Sequence, residues 1–162
     1  MYYIQGFYKI KKVINFKKNK EYIKSFFISN SVRGTLIISP EGINGTIAGK
    51  KNNLRKCINL IKNKFAINSF DNQNLSKCRF QPFYRAKVKV KKEVIPIGLK
   101  LNLKQKKKSK YVNPHSWNKL ITKKNIMLID VRKPFEYKVG TFKGAINPNV
   151  DNFREFPKYF SK

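Results

Sequence analysis

The first 98 residues change their apolar period in a set order, and that order leaves few architectures open. "YYIQGFYKI" is aromatic and β-branched, the composition of a strand. "KNKEYIKSFFIS" puts Tyr22, Ile23, Phe26 and Phe27 on one face of a helix. "RGTLIIS" and "GTIAGK" are short strand-like runs around "PEGING", whose proline and glycines predict a tight turn and therefore a hairpin, or at least adjacent strands joined by a loop. "KNNLRKCINLIKNKF" returns to helical spacing, with Leu54, Cys57, Ile58, Ile61 and Phe65 on one stripe. "RAKVKVKKEVIPIG" alternates Ala86, Val88 and Val90 with Lys87, Lys89 and Lys91, the period of a half-buried strand. Together these give β-α-β-β-α-β, a split βαβ arrangement, in one α+β unit over residues 1–98.

The texture then changes. Residues 99–113 carry a dense lysine run without apolar period, which predicts a basic, solvated linker. A second unit is expected over 114–162. "PHSWNKLI" opens on proline and sets Trp117, Leu120 and Ile121 on one side of a short helix. "IMLIDV" is a near-continuous apolar run, as for a parallel strand covered on both faces. "PFEYKVG" predicts a helical turn closed by Gly140, and "GAINP" another short strand. "DNFREFPKYF" predicts a helix capped by Asp151 and shortened by Pro157.

Several function classes are disfavoured. The apolar runs are too short to span a bilayer, and the N-terminus lacks the pattern of a secretory leader. Cys57 and Cys78 have no metal-like spacing and read as reduced thiols, which predicts a cytoplasmic protein. No phosphate loop of the Walker type, metal-binding cluster or other cofactor motif is identifiable, and the eight carboxylates are scattered. His115, beside Pro114, reads as a helix-start residue.

The net charge of +29 predicts a polyanionic partner, most directly nucleic acid. Only six of the 37 basic residues are arginine, and an AT-rich gene would by itself enrich lysine and asparagine. The arginines are therefore the sharper guide, because planar bidentate contacts to phosphate favour them. Arg79, Phe83, Tyr84, Arg85, Lys87 and Lys89 interleave cations with aromatic rings. That pattern suits single-stranded RNA, with rings on bases and cations along phosphates; it equally describes a solvated strand face.

Four stretches occur in order: "PEGINGTIAG" (40–49), "PFYRAKVKVKKEVIPIG" (82–98), "YVNPHSWNKLI" (111–121) and "LIDVRKPFEYKVGTFKGAINPNVDNFREFPKYF" (128–160). Together they resemble the rhodanese-type tRNA uridine(34) hydroxylases, over nearly the whole chain. The resemblance implies an α+β ferredoxin-like (acylphosphatase-like) N-terminal domain followed by the first half of an α/β rhodanese domain. It implies oxygen-dependent formation of 5-hydroxyuridine at the tRNA wobble position, with tRNA as partner and molecular oxygen as co-substrate. The family's reactive cysteine belongs to a "CTGGIRC"-like loop, and the expectation is a C-terminally truncated chain with no catalytic residue of its own. Asp130, Arg132 and Glu136 would support that loop, or form a structural ion pair and a surface pair. Asn44 would be presented to RNA from the "EGINGT" turn, which also reads as a plain glycine turn. An inactive tRNA-binding remnant and a rhodanese-type sulfurtransferase stay open as alternatives; the latter needs a reactive thiol.

Overall fold

A computed structural model describes residues 1–98 and 111–160. Most of the expected linker over 99–113 lies outside the described residues. The chain divides into two compact units, Met1–Ile95 and Pro96–Lys162.

The first unit is a five-stranded sheet with two helices. Its elements are β1 (Tyr2–Ile10), α1 (Lys20–Ser29), β2 (Arg33–Ser39), β3 (Gly42–Gly49), α2 (Lys51–Lys64), β4 (Asn72–Cys78) and β5 (Ala86–Val90). The strand order is β4-β1-β3-β2-β5. β1 runs antiparallel to β3 and β4, β2 antiparallel to β3, and β5 parallel to β2. The expected split βαβ is therefore present, with one correction. The strand that closes it beside β1 is β4, which the residue pattern did not show. The alternating run 86–90 is instead a fifth strand on the far edge. β4 escaped notice because "NQNLSKC" has no apolar alternation; as an edge strand it keeps Leu75 62% exposed and is held by its backbone ladder to β1.

The pleat sorts the sheet into two faces. Phe7, Leu36, Ile38, Ile43, Ile47 and Val88 point to the helices and meet Ile23 and Phe27 of α1 and Leu54, Cys57, Ile58 and Ile61 of α2. The predicted α2 stripe enters the core whole, whereas of the predicted α1 face Ile23 and Phe27 are buried, Phe26 packs at the margin and Tyr22 stays 53% exposed. The hairpin turn is tighter than expected. Its loop is Pro40–Glu41, and Gly42, Asn44 and Gly45 belong to β3. Gly42 sits at φ +148°, where an added Cβ would strike the Lys9 carbonyl. At Gly45 an added Cβ would come within 2.8 Å of the Phe7 ring. These glycines serve close strand packing. The buried Ser39 hydroxyl accepts from the Glu41 amide at 3.1 Å and ties the loop.

The second unit has α3 (Pro114–Ile121), α4 (Pro134–Val139), a 3-10 turn (Phe153–Glu155) and α5 (Phe156–Phe160). α3 is capped by Asn113, whose side chain accepts from the Ser116 amide at 2.8 Å. Gly140 ends α4 as predicted, its amide donating to the Glu136 carbonyl. The last helical segment begins after Asn152, not Asp151. "IMLIDV" does not become a covered strand: it makes one parallel bridge, Ile129 to Ile146. Met127 remains 68% exposed, and Ala145 is the buried apolar residue among the described residues of this unit. One bridge satisfies two amides and leaves the run without a second layer.

Candidate nucleic-acid interface

The face of the sheet turned away from α1 and α2 carries polar and basic side chains. Strand register lays them out in two rows. One runs Asn72, Tyr8, Asn44, Ile37, Lys89 from β4 to β5; the next runs Asn74, Gly6, Thr46, Thr35, Lys87. Arg33 lies beside the second row at the start of β2, exposed. No element of the first unit covers this face among the described residues. Its two rows both end on an exposed lysine at the β5 edge.

The residues singled out from sequence fall into separate places. Phe83, Tyr84, Arg85 and Lys87 come together with Gly34 and Thr35 around a shallow depression of about 290 Å³. Tyr84 is 95% exposed, a ring presented to solvent. The Arg85 carbonyl accepts from the Gly34 amide at 2.9 Å, which fixes its backbone beside β2. Arg79 is exposed in the segment that passes from β4 to β5. That segment is pinned where Gln81 donates to the Ala48 carbonyl at 3.0 Å. Asn44 lies two strands from β5, half-buried within β3 rather than on a turn. Lys91 follows the strand instead of extending the lysine row, its amide donating to Ile38. Sequence reasoning missed Arg33, Thr35, Thr46, Asn72 and Asn74. Only the register across the unrecognised β4 would have placed the two asparagines.

Ion pairs among the described residues include Lys9–Asp71 at 2.8 Å and Lys20–Glu21 at 3.0 Å. Neither involves a cation of the two open-face rows. Among the described residues, Lys87 and Lys89 make no ion pair that an approaching phosphate would have to displace.

In the second unit, Asp130 and Arg132 form a closed network. The Arg132 guanidinium donates to Asp130 at 2.6 and 3.0 Å and to the Gly140 carbonyl at 2.6 Å. Thr141 donates to the same carboxylate at 2.9 Å, and Asn147 donates to the carbonyls of Asp130 and Arg132. Hydrogen bonds from the Arg132 side chain hold the Asp130 carboxyl well below the usual range, against an opposing effect of burial. Glu136 does not pair with Arg132; its carboxylate accepts from the Lys133 amide at 3.3 Å, at the start of α4. Asp130 and Arg132 border a cavity of about 610 Å³ with Trp117, Leu128, Thr141 and Phe142. Burial pushes the Cys57 thiol up to about 12, and Cys78 is half-buried at the end of β4. Among the described residues no His/Cys/Asp/Glu group could hold a metal ion, and no helix is long and apolar enough to cross a membrane.

A family model described as the UPF0176 acylphosphatase-like domain matches residues 2–94. A curated relative, the tRNA uridine(34) hydroxylase of Pelagibacter ubique, is 51% identical over 162 residues, all of this chain and 54% of its own length. The chain thus spans about half the length of that relative. Among solved structures, an acylphosphatase from Bacillus subtilis shares 11% identity over 54% of this chain and 98% of its own, with a TM-score of 0.39. One from Coxiella burnetii shares 10% identity over 54% and 90%, also with a TM-score of 0.39.

Proposed function

The chain belongs to the UPF0176 acylphosphatase-like family, and from that premise we propose that it works in tRNA modification, as the RNA-holding part of a tRNA uridine(34) hydroxylase. The observation that carries this reading is the 51% identity to the relative of that name along every residue of the chain. Physical support comes from the first unit. Its open sheet face combines amides, hydroxyls and lysines, and its β5 edge adds Tyr84 and Arg85. A wobble uridine must be unpaired to be modified, so the partner surface is single-stranded loop RNA. Such RNA is held by rings and amides against bases and by cations along the backbone. On this reading Arg79, Phe83, Tyr84, Arg85, Lys87, Lys89 and Asn44 contact RNA. The Asp130–Arg132–Glu136 segment positions a neighbouring loop in the rhodanese-like half. The hydroxylation is oxygen-dependent and the setting cytoplasmic.

Sulfur transfer is the weaker alternative. A thiol raised to about 12 is protonated at neutral pH, so Cys57 is a poor persulfide carrier.

The test is nucleoside analysis by mass spectrometry of tRNA from cells lacking this gene, with and without the gene restored. The expected result is loss of 5-hydroxyuridine at position 34 and its recovery. Unchanged tRNA composition after deletion would overturn the proposal.

A further inference from the structure

We infer that the cleft over β1, between Asn44 and Asn72, is a pocket for one unpaired nucleobase, and that the lysines at the β5 edge hold the RNA backbone beside it. This rests on the RNA-holding reading above and adds to it a division of labour within one sheet face.

The cleft has a volume of about 170 Å³ and lies over the backbone of β1 and β3, between Tyr8, Asn44, Thr46, Asn72 and Asn74. At Gly6 the missing side chain makes room for the Asn74 carboxamide, which lies over the β1 backbone as one wall of the cleft. A Cβ there would strike the Asn74 carboxamide, whose oxygen instead accepts from the Gly6 amide at 3.0 Å. Asn74 is thereby spent as a structural wall. Asn44 and Asn72 are not: among the described residues their carboxamides have no hydrogen-bond partner. Register puts these two amides on either side of Tyr8.

An asparagine in the middle of a strand is unfavourable by strand propensity. Asn44 is in that position. A carboxamide offers a donor and an acceptor side by side, which complements the hydrogen-bonding edge of a base. The charge on the same rows fits the same occupant. Lys89 and Lys87 sit two strand spacings from Asn44 and Thr46, roughly 10 Å away. Tyr8 and Ile37 are the only apolar side chains in the two rows, and the amides, threonines and lysines around them suit a polar, anionic occupant better than the apolar core of a protein interface. The observations therefore commit the face to single-stranded RNA.

The experiment measures binding of the full 162-residue chain to a fluorescent single-stranded RNA heptamer by anisotropy, across a salt series. The comparison probe is the same heptamer with one central abasic site. The wild-type protein is expected to prefer the intact heptamer by about tenfold. Asn44→Ala is expected to abolish that preference without changing the salt slope. Asn44→Asp is expected to do the same and to weaken both probes by repulsion. Lys87→Ala and Lys89→Ala are each expected to keep the preference and to lower the slope by about one. Melting temperatures identify any variant that fails to fold; Asn44→Ala is expected to melt close to wild type, since neither asparagine nor alanine is a strong strand former and Asn44 anchors no hydrogen bond among the described residues. Equal binding of the two heptamers by wild type, or a preference that survives Asn44→Ala, would overturn the inference while leaving RNA binding intact. Failure to bind either heptamer, with lysine variants indistinguishable from wild type, would instead remove the RNA-holding reading as well.

Discussion

Cys57 shows how a single position can be read for and against chemistry. It lies on the buried stripe of α2, among Leu54, Ile58 and Ile61, and its thiol is pushed up to about 12 from an ordinary value of 9.0. The neutral thiol is the form the fold favours. Stability from this group is complete below pH 9.0 and falls as pH rises toward about 12. Iodoacetamide at pH 8 should therefore alkylate Cys78 in the native protein and reach Cys57 only in denaturant, as read by mass spectrometry. Rapid native labelling of Cys57 would show that the helix layer opens easily. The buried stripe was legible from spacing alone, because a 3.6-residue period with cysteine among leucine and isoleucine has few other meanings. Asn44, Gly42 and Gly45 were harder. Glycine and asparagine are turn residues by habit, and the sequence carries no sign that here they let strands approach and leave an amide on a sheet face.

The hairpin of β2 and β3 makes that lesson quantitative. Gly42→Ala forces a side chain into positive φ against the Lys9 carbonyl, and is expected to cost about 1–3 kcal/mol. Gly140→Ala should stay within about 0.5 kcal/mol, because Gly140 has φ 167°, an extended value open to any residue, and nothing within 4 Å of an added Cβ. Urea denaturation followed by circular dichroism compares the two; equal midpoints would contradict the packing role of Gly42. Among the strands, β2 and β5 were legible because each has one apolar face. β4 was not, since its stability comes from backbone pairing with β1, which leaves no mark on side-chain pattern. The opposite error occurred at "IMLIDV", where apolar content promised a covered strand and one bridge formed. Hydrophobicity reports a need for cover and does not supply it.

At the scale of the molecule, a net charge of +29 poses a choice between diffuse attraction and a defined surface. Charge of that size attracts any polyanion, with a strong dependence on salt. The first unit adds geometry: a helix-covered face that carries the core, and an opposite face whose two rows of amides and hydroxyls end on Lys87 and Lys89. The exposed aromatics and cations around 79–89 were legible as a motif, while the amide half of the surface required the sheet order. The most direct measurement is tRNA binding by the whole chain after two paired substitutions. One removes Lys87 and Lys89 from the open face; the other removes Lys51 and Lys56, exposed on α2. The account predicts that the open-face pair weakens binding about tenfold or more and lowers the salt slope by about two, while the helix pair changes affinity by less than about twofold. Equal losses from both pairs would contradict it, and would assign the affinity to charge without a site.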